Sequence, residues 1–493
     1  MKVGIYNLYW STFGGGEQQA GGIADALSVE HEVELLGPAA IDLDQARERL
    51  GLRLDGVTFR KIHSDEYTAS LASAEYDLWV NHTYRSVAPS LATLGIYFVM
   101  FPHPFEQSTL HRRLRGVGGR FATPARFLTG VGRHPRTGDA ALVGPAYVQA
   151  RSGARSLTVQ LHASVPEEVL SALVAPGAIV TKRLVEGATT IEFDLPGSES
   201  QHVLLSPVVL GHNRPERSVL RLGEVRVDGV RVDAGRQSFR ERLVGAERAA
   251  FLDSYQSVVA LSEYTLGWAR TWWGRGEAVV SPPVTMRQAG EKSKLIVSVG
   301  RFFDERSGHS KRQLEMVRAF RRMVDGGLQD WRLVLIGGCS PADREYAMAV
   351  RREAEGLPVE VRISAPGAVL DEHLAEASIY WHAAGLHSDL LLHPDRAEHF
   401  GIAPIEAMSA AAVPVVFGAA GPAEVVQDGI NGLHFQDLDG LVAQTRRLID
   451  DAALRERLSA AAVVRAHEYD RTHFEASVRD LVAKVAAGHH PRS

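Results

Sequence analysis

Short, mostly apolar segments alternate with helix-like segments along two stretches of this chain. That alternation restricts the fold more than any other feature. Val3 to Leu8, Val33 to Leu36, Val57 to Ile62, Leu78 to Asn81 and Ile96 to Phe101 read as buried strands, with a helix expected from Glu17 to Ser28. The series resumes with a strand at Ser257 to Leu261 and a helix at Glu263 to Trp273. A second series follows, with strands expected at Leu295 to Val299, Leu333 to Ile336, Val359 to Ile363, Ile379 to Trp381 and Val413 to Phe417. Strands alternating with helices call for parallel sheets covered on both sides. The fold class expected is α/β: two doubly wound domains facing each other across a cleft, with ligands at the carboxyl ends of the strands.

Between about 140 and 236 the pattern changes. Ser156 to His162, Thr189 to Leu195, His202 to Val209 and Val219 to Val232 alternate apolar and polar residues, with Pro176-Gly177, Pro196-Gly197 and Asp228-Gly229 as turns. Short strands between such turns suggest an all-β sandwich inserted in the first domain. The expected division is 1–139 with 237–283, the insertion 140–236, a second α/β domain 284–470, and a terminal helix and tail 471–493. The length of 493 residues suits about three domains at roughly 150 residues each. Between 148 and 236 Phe193 is the only aromatic residue, which weakens a sugar-stacking role for the insertion.

Charge excludes one class of function. With 54 basic and 59 acidic residues the net charge is -5, and no nucleic-acid partner is expected. A single cysteine, Cys339, fits a reducing compartment. No amino-terminal signal region is evident, and the longest apolar run, Leu94 to Pro102, falls far short of the ~20 residues of a membrane helix. A cytoplasmic protein is expected. The acid-free stretch Ser108 to Gly138, with arginines at 112, 113, 115, 120, 126, 133 and 136, leaves two readings open. Charge runs usually face water, which favours a solvated linker. Interleaved leucines and phenylalanines would also suit peripheral contact with anionic lipid at the inner face of a membrane, or a phosphate-bearing acceptor.

Four groups of residues can carry chemistry. Gly14-Gly15-Gly16-Glu17 lies between the first strand and the first helix, where bare backbone can approach an anion or a sugar; a plain tight turn is the alternative. Gly300-Arg301-Phe302 ends the first strand of the second series, and Lys311 follows. Only seven lysines occur, so each is conspicuous, and an Arg fork with a Lys point charge suits a diphosphate. Glu398-His399-Phe400-Gly401-Ile402-Ala403-Pro404-Ile405-Glu406 sets two carboxylates eight residues apart across a helix start, with Pro404 in the first turn. Amides from Phe400 to Ile402 can meet a phosphate there. His103, in Phe101-Pro102-His103-Pro104, stands at a strand end. Asp42-Leu43-Asp44 and Asp437-Leu438-Asp439 read as helix caps. His382, His387 and His393 lack metal-site spacing, so no metal is expected.

Glu398-x7-Glu406, taken with Gly300-Arg301-Phe302, Lys311, Gly14-Gly15-Gly16-Glu17 and Gly421-Pro422-Ala423-Glu424-Val425-Val426, resembles the retaining nucleotide-sugar glycosyltransferases of family 4. His309 to Met316 is similar to a bacterial branch, and Glu398-His399-Phe400-Gly401 to the dolichol-linked mannosyltransferases. The resemblance covers about 1–107 and 250–485 and implies a GT-B fold of two Rossmann-like domains. It also implies a nucleotide diphosphate sugar as donor substrate, no separate cofactor, and a glycan or lipid-linked acceptor. By the same resemblance Arg301 and Lys311 hold the diphosphate, Glu398 the sugar hydroxyls and Glu406 the ribose. Gly15 and Gly16 line the diphosphate and acceptor side, and His103 stands near the sugar. The chain departs from the family in a longer segment 387–394 and in Gly418-Ala419-Ala420-Gly421, which has alanine where a second glycine is common, and both bear on donor choice. A non-catalytic nucleotide-sugar or glycan-binding subunit, and an epimerase or phosphorylase on the same fold, are the alternative functions.

Overall fold

The computed structural model describes residues 1–103, 125–127, 131–133, 137, 139–142, 146–150, 153–163, 169–175, 178–195, 201–206, 220–232, 250–304 and 310–488. The stretch Ser108 to Gly138, where lipid contact was weighed against a solvated linker, lies outside them except for 125–127, 131–133 and Thr137.

The first sheet has seven strands, all parallel, in the spatial order Ala278–Val279, Ser257–Ala260, Leu94–Val99, Leu78–Asn81, Lys2–Tyr6, Glu32–Gly37, Thr58–Lys61. The strands Leu78–Asn81 and Leu94–Val99 are buried at every position, because helices or loops cover both faces. One face packs Val3, Ile5, Leu35 and Val80 on the helix Gly15–Leu27, and the other packs Tyr6, Trp79, Tyr97 and Trp273. The final helix, Arg471–Gly488, lays Phe474, Val478, Leu481 and Val482 into the first of these cores. It is tied there by Arg53 to Glu475 at 2.6 Å.

The second sheet runs Val359–Ile363, Arg332–Gly337, Ser293–Val299, Ala377–His382, Val413–Phe417, Leu433–Phe435, again all parallel. Chain order reverses between Ser293–Val299 and Ala377–His382, and that reversal point is where such sheets bind ligands. In the first sheet the equivalent point falls between Lys2–Tyr6 and Leu78–Asn81, above which stands the glycine loop.

The insertion is two antiparallel sheets around one core. Ser156–Ala163, Gly187–Asp194 and Leu220–Val227 belong to one sheet, and Val169–Ala175, Gln201–Ser206 and Ala146–Ala150 to the other. Their inward positions, among them Leu157, Val159, Phe193, Val203 and Val225, form a single cluster. The expected run Val219 to Val232 is a hairpin broken by Asp228-Gly229. Ala125–Phe127 and Val131–Arg133, ahead of residue 140, also pair within these sheets. No helix among the described residues is long and apolar enough to cross a membrane.

Candidate active site

The carboxyl ends of the two strands flanking the reversal point carry the densest cluster of charge. Lys311 follows Ser293–Val299 in the chain, and His382 is the last residue of Ala377–His382. Glu398 comes in from the loop before the helix Ile402–Ser409. The Lys311 ammonium donates to Glu398 Oε2, and His382 Nε2 lies 3.2 Å from the same oxygen. The three side chains are 14%, 15% and 3% exposed, so the ion pair is shielded from water. Burial pushes the His382 pKa down, against the pull of Glu398, and keeps the ring neutral.

The backbone around Glu398 is held by close packing. Gly421 N–H donates to the Glu398 carbonyl at 3.0 Å. A β-carbon on Gly421 would stand 2.4 Å from Phe400 Cα, so the segment 420–425 lies directly on the loop. Gly401, at φ +101°, turns the chain into the helix Ile402–Ser409. No side chain caps that helix, which leaves its first amides open to a ligand. The Phe400 ring itself is core, 5% exposed and edge-on to Tyr469. Of the expected contacts from Phe400, only its backbone is available.

Glu406 points elsewhere than Glu398. Its Oε1 accepts from Arg287 Nε at 3.1 Å and Nη2 at 2.5 Å, and Arg287 Nη1 donates to Asp371. Burial raises the Glu406 pKa, and the Arg287 charge opposes the rise. Nothing in the sequence pattern pointed to Arg287. It lies on the segment joining the two α/β sheets and reaches Glu406 across 119 positions.

Arg301 is not part of the Lys311 cluster. Its guanidinium lies over the Phe303 ring at 5.5 Å and lines a pocket of about 320 Å³ with Cys339, Ser340 and Asp343. The pocket is lined by residues that follow Ser293–Val299 and Arg332–Gly337 in the chain, and Lys311, His382 and Glu398 are not among its lining residues.

The first domain meets this surface at two places. In the glycine loop, Glu17 folds back to accept from Gly14 N at 2.8 Å, from Thr12 Oγ1 and from Asn7 Nδ2. Glu17 is therefore a brace for the loop. Gly15 faces the second domain: a β-carbon there would lie 3.0 Å from Ile402 Cδ1. Gly16 has open space around its own. At the second place the Phe101 ring stacks on His399, centroids 4.1 Å apart and planes at 12°. His103, two residues on, stands edge-on to Trp273, whose Nε1 donates to the His103 carbonyl at 2.9 Å. Ser262 Oγ donates to the His399 carbonyl and Tyr264 Oη to that of Pro394. Sequence reasoning missed Ser262 and Tyr264, which carry no chemical signature of their own.

The expected helix caps are found. Asp42 accepts from Asp44 N and Gln45 N, and Asp437 from Gly440 N.

Comparison with known proteins agrees with this layout. Residues 286–465 match the family described as Glycosyl transferases group 1. Among curated proteins the chain is similar to the GDP-Man:Man(3)GlcNAc(2)-PP-Dol alpha-1,2-mannosyltransferases. The identity is 31% over 134 residues with that of Xenopus laevis, covering 26% of this chain and 24% of the relative. With the human protein it is 30% over 209 residues, 38% of each. The chain thus matches less than two fifths of the length of these relatives. Among solved structures it is similar to Anabaena HepE in complex with UDP, with a TM-score of 0.57 and 10% identity over 98% of this chain and 100% of that one. A sucrose-phosphate synthase of Thermosynechococcus elongatus gives 0.52 and 12%, over 99% and 100%. At these identities the likeness is one of fold: the two facing Rossmann-like domains of GT-B.

Proposed function

We propose that the chain is a group 1 glycosyl transferase, a reading supported by the family match over residues 286–465, and that it moves a hexose, with retention of configuration and without a metal, from a nucleotide diphosphate sugar to a hydroxyl. The acceptor is a glycan or a lipid-linked sugar, the latter in keeping with the dolichol-linked substrate in the names of the curated relatives. The observation that carries the reading is the Lys311–Glu398 pair at the reversal point of the second sheet, beside the uncapped start of Ile402–Ser409 and facing Gly15 across the cleft.

In this reading the diphosphate lies between Lys311, Arg301 and the first amides of Ile402–Ser409. The lysine and the helix end stabilise the negative charge that grows on the leaving oxygen. Glu398, freed from Lys311, accepts from hydroxyls of the donor sugar, and Glu406 with Arg287 shapes the ribose side. His103 and Gly15 line the acceptor side. The leaving diphosphate oxygen takes the proton from the attacking hydroxyl, so the protein needs no nucleophile. Its contribution is orientation and charge. Residues 1–139 with 237–283 then serve the acceptor and 284–470 the donor.

Calorimetric titration of UDP, GDP and ADP in the presence of a chelator tests this. One nucleotide is expected to bind clearly better than the others and to lose at least tenfold in affinity with Lys311→Ala. Failure of all three to bind the wild-type protein would overturn the donor site.

A further inference from the structure

His382 has a buried ring with no task in the scheme above. It is 2% exposed at the end of Ala377–His382, and among the described residues its Nε2 makes no aligned hydrogen bond. A buried polar atom left without a partner is costly, so such atoms are rare and usually explained by function. Glu398 Oε2 lies 3.2 Å from His382 Nε2, and that oxygen accepts from the Lys311 ammonium. One carboxylate oxygen therefore has two nitrogen partners in reach and bonds only one of them.

Lys311 is also the residue with the strongest reason to move. A diphosphate offers it two or more negative charges, and a lysine ammonium is a mobile point charge on a flexible stem. His382 sits on a strand and is packed on all sides. When the ammonium turns to phosphate, Glu398 loses the partner that fixes its carboxylate, and the histidine stays where it is. Burial keeps the ring neutral, so one ring nitrogen carries hydrogen and the other does not.

We infer that His382 is a positioning residue of the donor site: with a nucleotide sugar bound, its Nε2–H takes over Glu398 Oε2 from Lys311 and aims the carboxylate at the sugar hydroxyls. The inference rests on the donor-site reading above and adds to it an exchange of partners at a single oxygen. Lys311 serves the diphosphate, His382 serves Glu398, and the two tasks separate on binding.

Two variants test it. His382→Leu fills the space without a donor, and His382→Gln keeps an N–H that can reach the carboxylate. Affinities for UDP, GDP and ADP are compared with those for UDP-glucose, GDP-mannose and ADP-glucose, alongside thermal midpoints and kcat and KM on the nucleotide sugar that binds. With His382→Leu, affinity for the bare nucleotide diphosphate is expected to stay within threefold of wild type. The extra affinity supplied by the sugar, and kcat, should fall tenfold or more. His382→Gln should restore most of both. Equal losses for nucleotide and nucleotide sugar, no loss for either, or a glutamine variant as poor as leucine at an unchanged midpoint would each overturn the role of His382. Failure of the wild-type protein to bind any nucleotide would instead remove the donor site beneath it.

Discussion

The carboxylate of Glu424 closes the amino end of the helix Glu263–Trp273, although the two belong to different domains. It accepts from the backbone N–H of Glu263 at 2.9 Å and of Tyr264 at 2.5 Å, while Ser262 caps the same helix through Thr265 N. Two orphan amides of one domain are thus satisfied by the other. Burial raises the Glu424 pKa, and these amides pull it back. Replacing a capping side chain with alanine costs about 1 kcal/mol. Glu424→Ala is therefore expected to lower the thermal midpoint by a few degrees and to enlarge the radius of gyration seen by small-angle scattering, as the domain pair opens. A variant unchanged in both would show that the cap does not hold the domains together.

Gly421→Ala acts one step nearer the chemistry. The added carbon would lie 2.4 Å from Phe400 Cα and 2.5 Å from Phe400 N, and backbone cannot give way as a side-chain tip can. The loop carrying Glu398 must shift, and the hydrogen bond from Gly421 N to the Glu398 carbonyl goes with it. Nucleotide affinity by calorimetry is expected to drop at least tenfold. Affinity within twofold of wild type would mean that the loop position does not matter for binding.

Much of this layout was legible in the sequence, and the limits have physical causes. The parallel sheets announced themselves because strands buried on both faces are almost wholly apolar, as in Leu78–Asn81 and Leu94–Val99. The helix Glu263–Trp273 had both ends marked, Ser262 before it and Gly274 at φ +69° after it. Lys311 stood out through the scarcity of lysine and Glu398 through the motif that carries the family resemblance, but their pairing is a contact across 87 positions that spacing does not show. In the insertion, Val169–Ala175 escaped notice because its composition does not alternate strictly. Arg287 and His382 were illegible for another reason. Each matters through a contact made across the fold, and one arginine among 54 basic residues gives no local sign of which carboxylate it will meet.

Ala420 offers a gain in stability. It sits at φ +55°, in the left-handed region, where a β-carbon crowds the neighbouring carbonyl oxygen at a cost of roughly 1–2 kcal/mol. Glycine removes that strain and gives back part of the benefit, about 0.5–1 kcal/mol, through the freer unfolded chain. Ala420→Gly is expected to raise the thermal midpoint by one to two degrees. A lower midpoint would show that the alanine methyl makes contacts worth more than the strain.

The clearest pH effect should come from His82, to which the proposed chemistry assigns no step. The ring is 1% exposed against Phe98, with Nε2 3.1 Å from Gln19 Oε1, so Nε2 carries the hydrogen. Burial pushes its pKa down from 6.5 to about 3. Below pH 6.5 the unfolded chain takes up a proton at this position and the folded protein does not. Stability is therefore full above the unfolded value and is lost as pH falls from about 6.5 toward 3, at up to about 1.4 kcal/mol per pH unit. Glu406 and Glu424, whose pKa values burial raises, work in the opposite direction, because the folded protein then holds more protons than the unfolded chain in the acid range. Comparing wild type with His82→Gln cancels those two contributions. The difference between the two stability curves, measured by denaturant unfolding from pH 8 to pH 5, is expected to shift in favour of the variant by about 2 kcal/mol at pH 5. Parallel curves would mean that the imidazole takes up its proton at the same pH in the folded protein as in the unfolded chain.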